Sequence, residues 1–153
     1  MTTPKFAWDL LPEIRQLRID ATDVSSPGAL GPISGTATVT ISARTGDTVD
    51  WEEEGAWDSP AGRAVRFRNR LRWALVPSGM SLKLAHLRQG TDSPVWLCEF
   101  EPTPDSVLRT REPHPCGADT YSAELSVERS GFVLRWSVAG PRKAYRLIHS
   151  YGH

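Results

Sequence analysis

The side chains most able to do chemistry lie in one short stretch, residues 114–121, which reads His-Pro-Cys-Gly-Ala-Asp-Thr-Tyr. Its imidazole, thiol and carboxylate, on His114, Cys116 and Asp119, can bind a metal ion or form an imidazole-activated nucleophile. Tyr121 adds a phenol. Proline and glycine at this spacing are also typical of a hydrogen-bonded turn, in which the cysteine only packs as a small apolar group. The stretch therefore predicts a structural turn that orients a ligand, a polar anchor for a small molecule, or a reactive site.

A second polar group follows at residues 140–143, where Gly-Pro-Arg-Lys predicts a turn. The segment lacks the glycine spacing and the following helix of a phosphate loop, so we do not expect a nucleotide site. Arg142 and Lys143 can instead hold an anionic ligand, because cationic side chains bind carboxylates through charge-assisted hydrogen bonds. Tyr145 would supply a hydroxyl beside them.

Composition limits the possible partners and compartment. The 153 residues fit one domain, and 18 Lys plus Arg balance 18 Asp plus Glu. Nucleic acids and anionic membranes bind to basic protein surfaces. A chain with no net charge has no overall excess of basic residues, so we expect neither as a partner. Cys98 and Cys116 are too few for a disulfide framework. Without a secretory signal or a long apolar run, we expect a cytoplasmic protein with free thiols.

Alternation of apolar and polar residues predicts strands along most of the chain. The regular runs cover residues 34–42, 48–57, 64–75, 80–87, 95–100, 120–128, 132–139 and 144–148. Less regular patterns predict further strands at residues 14–21 and 107–112. Within the run at residues 48–57, Gly55 is a candidate position for a β-bulge.

Short turns join these runs, and no helical pattern is long enough for a crossover between parallel strands. We therefore predict an all-β fold, a single antiparallel up-and-down barrel over residues 14–153. Residues 1–13 form a separate N-terminal segment. A helical turn there could plug one end of the barrel. Such a barrel encloses packed side chains or one small ligand. Tryptophans on the strands can fill a core or line a cavity for a flat apolar ligand.

The run at residues 64–75 has arginine at every second position: Arg66, Arg68, Arg70 and Arg72. If these side chains face inward, the interior suits an anion. If they face outward, they form a solvated stripe that pairs with carboxylates across the sheet. Apolar side chains on the opposite face favour the outward orientation, which would also allow a protein-interaction surface.

Two segments of the chain resemble a family called domain of unknown function 6314. They are residues 114–121 and residues 136–145, which read Trp-Ser-Val-Ala-Gly-Pro-Arg-Lys-Ala-Tyr. That family has the pattern His-x-Cys-x-x-Asp-x-Tyr, followed by Trp-x-Val-x-Gly-Pro-Arg-Lys-Asp-Tyr. The chain departs from it at Ala144, which replaces aspartate, and at residues 16–18, which replace Gly-x-Trp. The resemblance implies a calycin-like barrel, similar to lipocalins and fatty-acid-binding proteins, in bacteria and fungi. It implies no reaction.

These observations predict a protein that binds a small, partly apolar and anionic molecule in or at the mouth of the barrel. The alternatives are an enzyme that uses the His/Cys/Asp cluster and an interaction module that uses the arginine strand. No metal ligand is assigned, and the sequence does not indicate which cofactor, if any, is bound. The candidate ligand-binding residues are His114, Cys116, Asp119, Tyr121, Arg142, Lys143, Tyr145, Trp73, Trp96 and Trp136.

Overall fold

The computed structural model of the protein describes residues 2–23, 33–58, 63–141 and 144–153. It contains one α-helix, α1 (Pro4–Leu10), and a 3-10 turn at Leu11–Glu13. The remaining elements are strands. They are β1 (Gln16–Asp23), β2 (Ile33–Arg44), β3 (Thr48–Asp58), β4 (Ala64–Leu75), β5 (Leu82–His86), β6 (Val95–Pro102), β7 (Leu108–Thr110), β8 (His114–Cys116), β9 (Asp119–Glu128), β10 (Gly131–Ala139) and β11 (Ala144–Gly152).

The strands form a closed antiparallel barrel. Each of β1 to β6 pairs with the next strand, β7 joins β9, and β9, β10, β11 and β1 complete the circle. Ten strands form the wall, and β8 pairs with β9 alone. Closure removes the unpaired edges that an open sheet of this size would expose. The prediction of an all-β antiparallel barrel is confirmed.

The N-terminal helix begins at a capping residue and packs against the core. The Thr3 hydroxyl accepts a hydrogen bond from the Phe6 amide at 3.1 Å, and Pro4 follows in the first turn, where proline is well tolerated. Three apolar side chains of the segment, Ala7, Trp8 and Leu11, join the hydrophobic core. The separation of residues 1–13 from a barrel domain stays a prediction. Within the described ranges, no helix has the length and apolar character needed to cross a bilayer.

Aromatic rings fill the barrel at the end where α1 packs. Trp73 lies at the centre, with ring centroids 5.6 Å from Trp51 and 5.7 Å from Phe132. Tyr151 stacks on Phe132 at 4.7 Å, and Phe100 stacks on Trp73 at 6.2 Å. Edge-to-face and offset contacts of this kind add to the stabilisation from apolar burial. This end is therefore a packed core, and any free interior space lies towards the other end.

The arginine face of β4 points away from the interior. Arg68 and Arg70 both lie within 3.4 Å of Glu52 on β3. Arg72 forms two hydrogen bonds with Asp50, from Nε at 2.7 Å and from Nη2 at 2.8 Å. This confirms the outward orientation, because the strand register places these residues opposite one another across the sheet.

We expect the Arg72–Asp50 ion pair to contribute far more to stability than the neighbouring Arg68–Glu52 ion pair. The Asp50 side chain is only 5% exposed, so Arg72→Met would leave a nearly buried carboxylate without its bidentate partner. The free energy of unfolding should fall by about 3 kcal/mol in urea denaturation. Arg68→Met is the matched control; its guanidinium is largely in solvent, and its loss should change stability little. Equal effects of the two substitutions would contradict this expectation.

Two glycines allow β2 and β3 to approach closely. A Cβ atom at Gly55 would lie 1.9 Å from the Thr36 carbonyl oxygen, and one at Gly35 would lie 2.8 Å from the Ala56 carbonyl oxygen. The bulge predicted at Gly55 is wrong, because the register through this residue is regular and shifts only between Ile41 and Ala43. The glycine is required for strand proximity and does not mark an extra residue.

Candidate ligand-binding site

A cavity of about 300 Å³ lies inside the barrel, between the aromatic core and the opposite end. This volume is at the lower limit of typical small-molecule sites. Its walls combine apolar side chains with polar groups from several strands. The apolar lining consists of Leu71, Leu84, Leu97, Leu134, Trp136 and Leu147. The polar lining consists of Glu53, Asn69, Arg70, His86, Arg88, His114, Cys116, Tyr121, His149 and Tyr151.

A buried carboxyl group occupies the inner end of the cavity. Glu53 is 1% exposed, accepts a 2.6 Å hydrogen bond from the Tyr151 hydroxyl and a 3.3 Å hydrogen bond from Asn69 Nδ2. Burial raises the pKa of Glu53, and hydrogen bonding from Tyr151, Asn69 and Trp51 opposes the rise only in part. Burial and the adjacent Glu53 charge also raise the pKa of Tyr151. The pair therefore keeps protons more readily than the same groups would in water.

His149 lies beside this pair, with its ring centroid 6.1 Å from that of Tyr151. Its register partners on the two flanking strands are the buried residues Leu134 and Ile19. Burial lowers the pKa of His149 to about 4, so the ring is neutral at pH 7. Its Nδ1 atom is buried and has no hydrogen-bond partner among the described residues. A buried ring nitrogen of this kind is costly unless another group binds it.

The other end of the cavity is bordered by the hairpin of β8 and β9. The sequence predicts a turn at residues 114–121, but His114–Cys116 is a strand and the turn is confined to residues 117–118. Gly117 has a φ of 63°, which glycine adopts without strain. The register pairs His114 with Tyr121 and Cys116 with Asp119, so all four lie on the same face. His114, Cys116 and Tyr121 line the cavity.

His86 lies near the same end, on β5. Burial lowers the pKa of its imidazole, and the charges of Arg88 and His114 lower it further. The Arg88 amide donates a 3.5 Å hydrogen bond to His86 Nδ1. Arg88 itself is exposed and forms no ion pair within the described ranges. The open end therefore carries an uncompensated cation next to two imidazoles.

The three predicted tryptophans have three different positions. Trp136 lines the cavity. Trp73 is fully buried in the aromatic core and is not among the residues that line the cavity. Trp96 is 43% exposed on the outer face, with Lys83 Nζ 5.7 Å from its ring centroid. The register shift between β5 and β6 turns Trp96 outward, while Cys98 stays opposite the buried Leu84.

The remaining predicted residues are not brought together in the cavity. Asp119 lies at the start of β9, close enough to Gly140 that a Cβ there would be 1.9 Å from its Oδ1 atom. Tyr145 lies opposite Val138 on β10 and is half-buried. Neither of these two residues lines the cavity. Arg142 and Lys143 lie outside the described residues, so their predicted roles stay predictions.

Three cavity residues were missed or undervalued by sequence reasoning: Glu53, His86 and His149. For Glu53 a signal exists, because it shares a strand face with Val49 and Trp51, whereas the neighbouring acids share the other face. An acid on an apolar strand face predicts a buried carboxyl group. His149 alternates with Leu147 and Tyr151 in the same way. A histidine on an apolar strand face is equally typical of a packed core. Alternation therefore does not distinguish a histidine packed in the core from one that lines a cavity.

The chemistry open to these groups is hydrogen bonding and charge attraction. Within the described ranges, no three or more His, Cys, Asp or Glu side chains are arranged to hold a metal ion. Cys98 is buried, which raises the pKa of its thiol and makes it unreactive. Cys116 is exposed, and no described hydrogen bond joins it to His114. The nucleophile–base contact expected of a cysteine enzyme is therefore not formed.

A second, wider concavity of about 1020 Å³ lies on the outer surface of β1 to β4. Arg18, Arg66, Arg68 and Glu54 border it. Arg18 lies 3.3 Å from Asp20, and Arg68 lies 2.8 Å from Glu52. Because its arginines face carboxylates of neighbouring positions, most of the positive charge is balanced within the sheet.

Comparison with known proteins agrees with the motifs at the barrel mouth. Residues 8–153, almost the whole chain, match the family described as "Family of unknown function (DUF6314)". No curated protein and no solved structure matches the chain. The matched range extends from α1 to the last residue and includes the whole barrel and its cavity. The chain therefore belongs to the DUF6314 family of unknown function.

Proposed function

We propose that the protein binds a small, partly apolar and anionic molecule inside the barrel. The observation that carries this proposal is the interior cavity of about 300 Å³, in which leucines and Trp136 surround a few convergent polar groups. Sites for small organic molecules have this composition, with apolar walls for affinity and a few polar groups for orientation. A pair of free thiols fits a reducing compartment and supports a cytoplasmic location.

The charges suggest how such a molecule would be oriented. The anionic group would lie at the open end, near Arg88 and the imidazoles of His86 and His114. β10 ends at Ala139 and β11 begins at Ala144 at that same end of the barrel, which supports a role for the intervening Arg142 and Lys143. The apolar part would then contact Leu134, Trp136 and Leu147 in the cavity walls.

Isothermal titration calorimetry with 3-phenylpropionate, which is partly apolar and anionic, tests this proposal. We expect saturable one-to-one binding to the unmodified protein. Leu147→Trp should abolish it, because a larger side chain on the cavity wall fills the space. Ile148→Trp is the matched control, since residue 148 is 38% exposed on the same strand and its side chain points outward.

Absence of saturable binding, or equal binding by the Leu147→Trp variant, would refute an interior site. Circular dichroism of both variants establishes that each is folded before the comparison is made. Native mass spectrometry of the freshly purified protein adds a search for the natural ligand, as a mass increment that disappears on denaturation.

The interaction-module alternative draws on the outward arginine face of β4. That face does not attract an acidic partner strongly, because Arg68, Arg70 and Arg72 are already paired with carboxylates of β3. An acidic partner would have to displace these existing ion pairs, so the free energy that it gains by binding the arginines is smaller. The cavity therefore supports the better proposal.

A further inference from the structure

The inner end of the cavity has hydrogen-bonding capacity that the protein does not use. Glu53 accepts one hydrogen bond on each carboxyl oxygen, Oε2 from Tyr151 and Oε1 from Asn69. A carboxylate offers about four acceptor positions, and the Trp51 side chain is directed at a third, so about one remains available. Within the described ranges Glu53 forms no ion pair; the nearby Arg70 is directed to Glu52.

His149 supplies a second, independent indication. Its Nδ1 atom is buried without a partner among the described residues, and its ring lines the same cavity as Glu53 and Tyr151. A neutral imidazole has one nitrogen that donates and one that accepts. The inner end therefore combines a buried carboxyl group with a buried imidazole nitrogen that has no partner among the described residues, on two side chains that line the same cavity.

A hydroxyl group is the smallest ligand group that meets both requirements. It donates one hydrogen bond and accepts others, so it can donate to Glu53 and still pair with His149. An ammonium group could donate to both residues, but it would carry its charge into an apolar cavity at a large desolvation cost, and a carboxylate would accept only and repel Glu53. A hydroxyl group also enters an apolar cavity at a smaller desolvation cost than an ion.

We propose that the ligand is a small hydroxy acid, with its carboxylate at the open end and its hydroxyl hydrogen-bonded to Glu53 at the inner end. The proposal rests on the proposed function and specifies its ligand class. It assigns Glu53 as the residue that selects the hydroxyl group, with Tyr151 and Asn69 holding its carboxyl in position.

Matched probes test this selection by isothermal titration calorimetry. We expect 3-(4-hydroxyphenyl)propionate to bind the unmodified protein at least about tenfold more tightly than 3-phenylpropionate, because a hydrogen bond to a buried acid has this effect. Glu53→Gln should reduce the difference to less than about threefold, since a neutral amide is a weaker acceptor than a carboxylate. Glu54→Gln is the matched control; residue 54 is the exposed neighbour on β3, and the full difference should remain.

A third probe keeps the test decisive if the Glu53→Gln variant fails to fold. In 3-(4-methylphenyl)propionate a methyl group replaces the hydroxyl at almost the same size, so it cannot form the hydrogen bond. We expect it to bind the unmodified protein no more tightly than 3-phenylpropionate. Tight binding of the methyl compound would show that shape alone determines affinity, and it would overturn the hydroxyl assignment.

The outcomes separate the two proposals. If 3-phenylpropionate binds and the hydroxyl group adds nothing, the hydroxy-acid assignment is wrong and the interior anion site stands. If the hydroxyl advantage persists in Glu53→Gln, the hydroxyl is bound elsewhere and the assignment of Glu53 is wrong. If none of the three probes binds, the proposed function fails and the hydroxy-acid assignment fails with it.

Discussion

A single methyl group at residue 55 should disrupt the barrel wall. In Gly55→Ala, the new Cβ would lie 1.9 Å from the Thr36 carbonyl oxygen and 2.6 Å from Ala37 Cα. Both contacts are to backbone atoms, so no side-chain rotation relieves them, and β2 must move away from β3. We expect the free energy of unfolding to fall by at least about 3 kcal/mol, at the upper end of overpacking effects.

Gly46→Ala is the control for this substitution. Gly46 lies in the exposed bend between the same two strands, and a Cβ there meets nothing within 4 Å. Urea denaturation followed by fluorescence of the chain's six tryptophans measures both variants. If the two alanine variants are equally stable, then β2 and β3 are not held as closely as the structure shows.

Acidification should destabilise the protein through His149. Because its pKa falls from 6.5 to about 4 on folding, the unfolded chain takes up a proton between these values and the folded chain does not. Stability from this group is complete above pH 6.5 and declines as the pH falls to about 4. The shift corresponds to roughly 3 kcal/mol at about 1.4 kcal/mol per pH unit.

The buried acid acts in the opposite direction and must be separated from this effect. Glu53 has a raised pKa, so its contribution to stability increases as the pH falls towards its usual value of 4.5. The comparison of interest is therefore between the unmodified protein and His149→Gln, which keeps a polar side chain that does not titrate. We expect the difference in their unfolding free energies to change by about 3 kcal/mol between pH 7 and pH 4.

His153→Gln controls for the loss of a histidine that is exposed, at the end of the chain. The loss of this side chain should change the free energy of unfolding little, since it is exposed and its one described contact joins Nδ1 to the Glu13 carbonyl oxygen at 3.2 Å. If His149→Gln and the unmodified protein show parallel pH profiles, residue 149 is solvated in the folded state, and the inner end of the cavity is open to water.

The barrel could be predicted from the sequence because alternation is a local property of each strand. The run at residues 64–75 matches β4 at both ends, since four arginines and their apolar neighbours sort onto opposite faces. The outward position of Trp96 does not follow from alternation, because alternation assumes an unbroken strand. The irregularity that turns it outward arises from pairing with β5, which is distant in the sequence and leaves no local trace.

The sequence indicates candidate residues at the mouth of the cavity and none at its inner end. Residues 114–121 carry several reactive side chain types, and the structure places His114, Cys116 and Tyr121 in the cavity wall. The Glu53–Tyr151 hydrogen bond joins residues 98 positions apart, and no spacing rule connects them. Such a contact depends on which strands become neighbours, and the closure of the barrel decides that.

The pairing of β8 has a consequence for how a molecule enters. Among the described strands β8 is hydrogen-bonded only to β9, and Val95 at the start of β6 pairs only with His86 on β5. Among the described residues β8 therefore has a backbone ladder on one side only, although its His114 and Cys116 line the cavity. Loss of the β8–β9 pairs alone would free β8, while the ladders that β9 forms with β10 and β7 stay intact. Exchange with solvent would then be set by that local opening and not by unfolding of the barrel.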